Sequence, residues 1–204
     1  MRRNLVYNFL MRPQLIICPL LLVICGAPVA GVAPEGICPA DMALADGGGF
    51  CIDKYEFPNK KGVAPFRGLD SDEAIQLCAS RGKRLPTPAE FTLACGGAEK
   101  ATFPYGSSHV PDKCRSGLSW ADGPAPSGSY PGCERNGVYD LAGNVWEWVR
   151  PPDGQLIIAG GAWNTASTNS TCHSFDLMQN GVISPNVGVR CVKSVAGRGP
   201  ADFH

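Results

Sequence analysis

The sequence predicts an α+β fold, on three observations. Two short stretches carry helix caps and helical spacing, several short apolar runs read as strands, and residues 98–137 are rich in Gly, Pro and Ser with no sustained period. Two helices in a mixed sheet with long loops is the α+β arrangement. The 204 residues, 44% of them hydrophobic, suffice for one domain with its own core. Neither an internal repeat nor a second domain is predicted.

Residues 1–31 read as an export signal. Arg12 precedes an apolar run from Leu15 to Cys25 that is short for a membrane span, and small residues follow at Gly26, Ala27, Ala30 and Gly31. Met11 is an alternative start. Leu22-Val23-Ile24-Cys25 resembles a lipoprotein cleavage site with a bulky Ile24, so a lipid anchor on Cys25 stays open beside plain export. The mature chain is expected in a periplasm, at a cell surface or outside the cell, with no transmembrane helix. Residues 32–36 form a short linker, 37–195 the domain, and 196–204 a flexible tail.

Ten cysteines are present, and Cys18 and Cys25 fall in the signal. Cys38, Cys51, Cys78, Cys95, Cys114, Cys133, Cys172 and Cys191 remain. An even number behind an export signal points to disulfides, and no close C-x-x-C pair offers a zinc site. Without Arg2, Arg3 and Arg12 the chain keeps 15 basic against 18 acidic residues, which gives no electrostatic footprint for nucleic acid. Lys60-Lys61 and Lys83-Arg84 read as solvated surface.

The elements follow in order. Gly47-Gly48-Gly49 is a turn, and Phe50 to Phe57 alternates like a half-buried strand whose acids, Asp53 and Glu56, sit on a solvated face. A first helix is expected from Ser71 to Arg81, capped by Asp70 or Ser71 and stopped by Gly82, with Ala74, Leu77, Cys78 and Arg81 on one face. A second begins at Thr87 as cap, with Pro88 at the first helical position and Glu90 placed for a capping box, and ends at Gly96-Gly97. Ile157-Ile158-Ala159 and Val187 to Val192 read as short buried strands.

The densest stretch is Asn136 to Val149, NGVYDLAGNVWEWV, which has neither a helical nor a strand period. Trp146 and Trp148 suit core positions as well as a functional loop. Asp140, Gly143, Val145 and Glu147 place two carboxylates and two carbonyls within eight residues, the hard-oxygen set that calcium takes. The alternative is that both carboxylates accept backbone hydrogen bonds and lock the loop.

Gly143-Asn144-Val145-Trp146-Glu147-Trp148, Gly160-Gly161-Ala162-Trp163, Gly188-Val189-Arg190-Cys191 and the upstream Arg84 to Phe91 stretch (RLPTPAEF) together resemble the formylglycine-generating enzyme family, the sulfatase-modifying factor domains, from about Cys38 to Lys193. The resemblance implies a C-type-lectin-like fold with little regular structure. It implies the disulfides Cys78–Cys191 and Cys95–Cys172, with Cys38–Cys51 and Cys114–Cys133 as the short-range remainder. It implies a calcium ion on Asp140, the carbonyls of Gly143 and Val145, and Glu147.

The resembled enzymes oxidise a cysteine of an exported sulfatase with two cysteines that bind copper. The matching segment here, Ala162 to Thr171, contains no cysteine, so copper and the known catalysis are not expected. The related sulfoxide synthases need a histidine cluster, and only His109, His173 and His204 exist, with His173 read as a surface or core-edge residue. An exported binding module for a peptide, glycan or protein is therefore the leading reading, with an oxidoreductase of altered metal site as the alternative. Trp163, Asn164 and Asn169 are candidate ligand contacts, since the run from Asn164 to Ser170 is rich in hydroxyls and amides. A solvated loop explains the same run. Trp120 and Tyr130 are further groove candidates.

Overall fold

The structure is a computed structural model that describes residues 37–47 and 49–196. The export signal, the linker 32–36 and the tail from residue 197 lie outside the described residues. The described chain forms β1 (Met42–Leu44), β2 (Phe50–Asp53), α1 (Ser71–Ala79), α2 (Pro88–Gly96), β3 (Glu134–Arg135), β4 (Val138–Tyr139), β5 (Trp146–Val149), β6 (Ile157–Ala159), β7 (Phe175–Leu177), β8 (Val187–Gly188) and β9 (Val192–Ser194). Single 3-10 turns occur at Trp120–Asp122 and Ser167–Asn169. None of its helices is long and apolar enough to cross a membrane among the described residues.

The strands make a three-stranded sheet, β1-β2-β9, a two-stranded β3-β4 ribbon, and a four-stranded sheet, β7-β6-β5-β8. In the last, β5 runs antiparallel to β6 and parallel to β8, with Glu147 opposite Ala159 on one side and Gly188 on the other. The expected strand over Val187–Val192 is two strands in different sheets. The chain leaves β5's sheet after Gly188 and enters β2's sheet at Val192, so Arg190 sits at the crossing.

The strand expected from Phe50 to Phe57 ends at Asp53, and all four of its residues are buried. Its period-2 pattern fails because both faces of β2 are covered, Phe50 and Ile52 by the core and Asp53 by Lys83. Asp53 and Glu56, expected on a solvated face, are 2% and 0% exposed.

Helix α1 is two residues shorter than expected. Asp70 accepts hydrogen bonds from the Asp72 and Glu73 amides, Glu73 reaches back to the Asp70 amide, and Ser80 closes the far end. Helix α2 has the reciprocal box of Thr87 and Glu90 with Pro88 in its first turn. Arg84, expected as solvated surface, forks onto both Glu90 oxygens at 2.6 Å, and its backbone pairs with Val192. Lys83 likewise turns inward and bonds Asp53 at 2.6 Å.

One core cluster gathers Ile52, Phe91, Leu141 and Val149, and a second gathers Leu69, Trp148, Val187 and Val189. Trp148 is fully buried and donates its indole N–H to the Leu69 carbonyl at 3.1 Å, which places it as a core residue. Four disulfides close the chain: Cys38–Cys51, Cys78–Cys191, Cys95–Cys172 and Cys114–Cys133. Two of them tie α1 and α2 to distant segments 113 and 77 residues away.

Candidate cation loop and ligand-facing surface

Residues 140–145 form a loop that leads from β4 into β5, whose second residue is Glu147. Asp140 and Asn144 hold φ of 63° and 58°, the left-handed region that Asp and Asn tolerate better than most residues. Gly143 adopts φ of 92°, and a Cβ there would stand 2.4 Å from the Arg115 carbonyl oxygen, so no side chain fits. Backbone bonds pin the turn from three sides. The Gly143 amide donates to Gly160, the Asn144 amide donates to Arg115, and the Trp163 amide donates to the Asn144 carbonyl.

The side chains beneath this loop are charged and buried. Arg190, 0% exposed, donates through Nε and Nη2 to both oxygens of Glu147, and also to the carbonyls of Asp53 and Tyr139. Asp140 accepts from the Gly128 amide at 2.6 Å. Asn144 donates to Glu56 Oε1 at 2.7 Å and accepts from the Ala125 amide. Burial, reinforced by the neighbouring Glu56 carboxylate, pushes the Asp140 carboxyl up to about 8. Burial likewise pushes Glu147 up to about 7, against the pull of Arg190.

Glu56, Asp140 and Glu147 thus share one buried guanidinium. Among the described residues no protein hydrogen bond reaches the carbonyls of Gly143 and Val145, and Glu56 Oε2 has no hydrogen-bond partner. No three His, Cys, Asp or Glu side chains surround one point there, so a cation would need those carbonyls. The donor set, hard oxygens with surplus negative charge, fits calcium. Glu147 keeps lone pairs beyond those that Arg190 occupies.

The second region is the surface around Trp163. Its indole is buried to 1% exposure; Trp120, 58% exposed, meets it edge-on with ring centroids 5.5 Å apart, and Arg67 lies over its ring at 5.5 Å. Arg67 is fixed by the Pro185 carbonyl at 2.7 Å. The Trp163 Nε1 donor has no partner. Asn164 is half-buried and accepts weakly from Asn186. Asn169 is exposed at the end of the Ser167–Asn169 turn, apart from this constellation, and Tyr130 bonds Arg115 instead. His173 is exposed, with its ring on the Lys100 carbonyl.

Sequence reasoning missed Glu56, Arg190 and Arg67. The first two lie just outside strands, Glu56 after β2 and Arg190 between β8 and β9, where no local pattern marks them. Arg67 stands in an irregular stretch with none.

Every cysteine in the described residues is in a disulfide. The segment from Ala162 to Thr171 carries none and forms a short turn. A disulfide-closed α+β domain with a carboxylate-rich loop, a Gly-Gly-Ala-Trp turn and a buried arginine between two sheets defines a recognisable class. Residues 48–195 match the sulfatase-modifying factor enzyme 1-like domain, and the chain belongs to that family.

Among curated relatives, the inactive C-alpha-formylglycine-generating enzyme 2 of Bos taurus is 31% identical over 65% of this chain and 50% of its own length. Its Mus musculus counterpart is 32% identical over 65% of this chain and 49% of its own length. The serine/threonine-protein kinase pkn1 of Chlamydia caviae is 31% identical over 56% of this chain and 21% of its own. The chain therefore spans about half of the first two and about a fifth of the third. Among solved structures, PvdO from Pseudomonas aeruginosa shares the fold at a TM-score of 0.59 and 19% identity, over 71% of this chain and 80% of that one. The Major Tropism Determinant P3c variant does so at 0.59 and 17%, over 79% and 54%.

Proposed function

We propose that this chain is an exported, C-type-lectin-like member of the family that binds a peptide, glycan or protein and does not form formylglycine. The observation that carries this reading is that all eight cysteines of the described domain are locked in disulfides. The segment where the resembled enzymes hold their copper pair has no thiol to offer. The printed name of the cattle and mouse relatives, which calls them inactive, supports it. Export is supported by four disulfides together with the leader-like composition of residues 1–31. A structural calcium on Asp140, Gly143, Val145 and Glu147 is supported by the free carbonyls and the buried negative charge.

The ligand face of this reading is the surface of Trp120, Trp163, Arg67 and Asn164. It offers the exposed aromatic plane of Trp120 and the exposed guanidinium of Arg67, which suits a ligand presenting a carbonyl, hydroxyl or carboxylate oxygen beside an apolar face. Screening the purified domain against peptide and glycan arrays tests it. Specific binders lost on Trp120→Ala, with the melting temperature kept, are the expected result. Binders that survive Trp120→Ala and Arg67→Ala together would place the ligand elsewhere.

A further inference from the structure

Glu56 follows β2 in the sequence Tyr55-Glu56-Phe57 and is 0% exposed. Its Oε1 accepts from Asn144 Nδ2 at 2.7 Å, while Oε2 has no hydrogen bond and lies 4.0 Å from Arg190 Nη2. A bare carboxylate oxygen in a dry interior is costly unless positive charge stands near it. Arg190 cannot supply enough. Its Nε and Nη2 serve Glu147, and Nη1 and Nη2 serve the carbonyls of Asp53 and Tyr139. Lys83, which enters the same neighbourhood, is spent on Asp53 and Asp41. Among the described residues no other cationic side chain pairs with Glu56, Asp140 or Glu147. With all three ionised, three buried carboxylates against one guanidinium leave two negative charges, the charge of one divalent cation.

Asn144 connects that surplus to the loop. It is the residue between Gly143 and Val145, whose carbonyls accept no protein hydrogen bond, and its side chain is clamped by Glu56 on one side and the Ala125 amide on the other. Glu56 therefore fixes the peptide units on both sides of Asn144.

We propose that Glu56 is the charge-setting and positioning residue of the cation loop: it orients the Gly143 and Val145 carbonyls through Asn144, and its unpaired oxygen supplies one of the two charges that select a divalent ion. This rests on the calcium reading of the Asp140–Glu147 loop. Glu56 is not one of the ligands, since no three acids converge on one point.

The test is calorimetric titration of calcium into the chelator-stripped, oxidised domain, with melting temperatures taken in chelator and in calcium. Glu56→Gln keeps the size and the acceptor for Asn144 and removes only the charge. It is expected to melt at or above the wild type in chelator, because like-charge repulsion is relieved, and to bind calcium more weakly by about tenfold or more. Glu56→Asp, which keeps the charge, is expected to stay within about threefold of the wild type, since the Coulombic part is retained. Equal affinity in the wild type and Glu56→Gln overturns the role of Glu56 and leaves the calcium reading standing. A wild type that takes up no calcium overturns the calcium reading itself. If Glu56→Gln does not fold, Glu56→Asp is compared with Asn144→Ala, which breaks the positioning contact and keeps the charge: a loss in Glu56→Asp that exceeds the loss in Asn144→Ala by tenfold refutes the proposal.

Discussion

Removing the Cys78–Cys191 bridge should cost this domain more than removing any other, and the comparison with Cys114–Cys133 gives the ordering a scale. The first closes a loop of 113 residues between α1 and the entry to β9, and the second closes one of 19. In the chain-entropy account, forbidding those loops to open in the unfolded state contributes about 4.8 and about 3.2 kcal/mol at 25 °C. Packing adds in the same direction. Cys78 and Cys191 are both fully buried in the cluster with Trp148 and Val189, whereas Cys114 is only partly buried, so paired alanines at the first site also leave the larger unfilled space. The double variants Cys78→Ala/Cys191→Ala and Cys114→Ala/Cys133→Ala, compared with the wild type by urea denaturation, should both lower the unfolding free energy, the first by at least about 1.5 kcal/mol more than the second. Equal losses, or a larger loss at Cys114–Cys133, would refute the claim that long-range closure holds this loop-rich domain together.

Arg190→Lys should destabilise by about 3 kcal/mol or more, because a lysine cannot reproduce the fork on Glu147 or reach both carbonyls and leaves buried carboxylates unpaired; thermal melting measures it, and a change under about 1 kcal/mol contradicts the reading. Gly143→Ala should lower soluble yield and melting temperature strongly, since the added methyl meets backbone at Arg115 and not a movable side chain; an unchanged melting temperature would mean that the loop relaxes away from the described path.

The two helices were legible in the sequence because their signals are local. Thr87-Pro88 with Glu90, and Asp70 with Glu73, write their own caps within four residues. The family was legible from ordered motifs. Glu56 and Asp53 were misread as solvated because a period-2 pattern assumes one wet face, and β2 has none. Val187–Val192 was misread as one strand because nothing local marks where a chain changes sheets; only Arg190's partners on β2, β4 and β5 explain the break. Which cysteine meets which is equally invisible to spacing, since eight cysteines admit 105 pairings. The Trp163 surface was half visible: the polar run drew attention to Asn164 and Asn169, but the exposed Trp120 and the stacked Arg67 come from segments 43 or more residues away in the chain.

Mass spectrometry on one preparation decides whether this member of the formylglycine-generating family lacks the family's chemistry. The oxidised domain is alkylated under denaturing conditions without reductant, and a parallel portion is incubated with copper and a sulfatase-type cysteine peptide. No alkylation is expected at any of the eight cysteines from Cys38 to Cys191, and no aldehyde on the peptide. An aldehyde product, or an alkylated pair among those eight, would contradict that expectation.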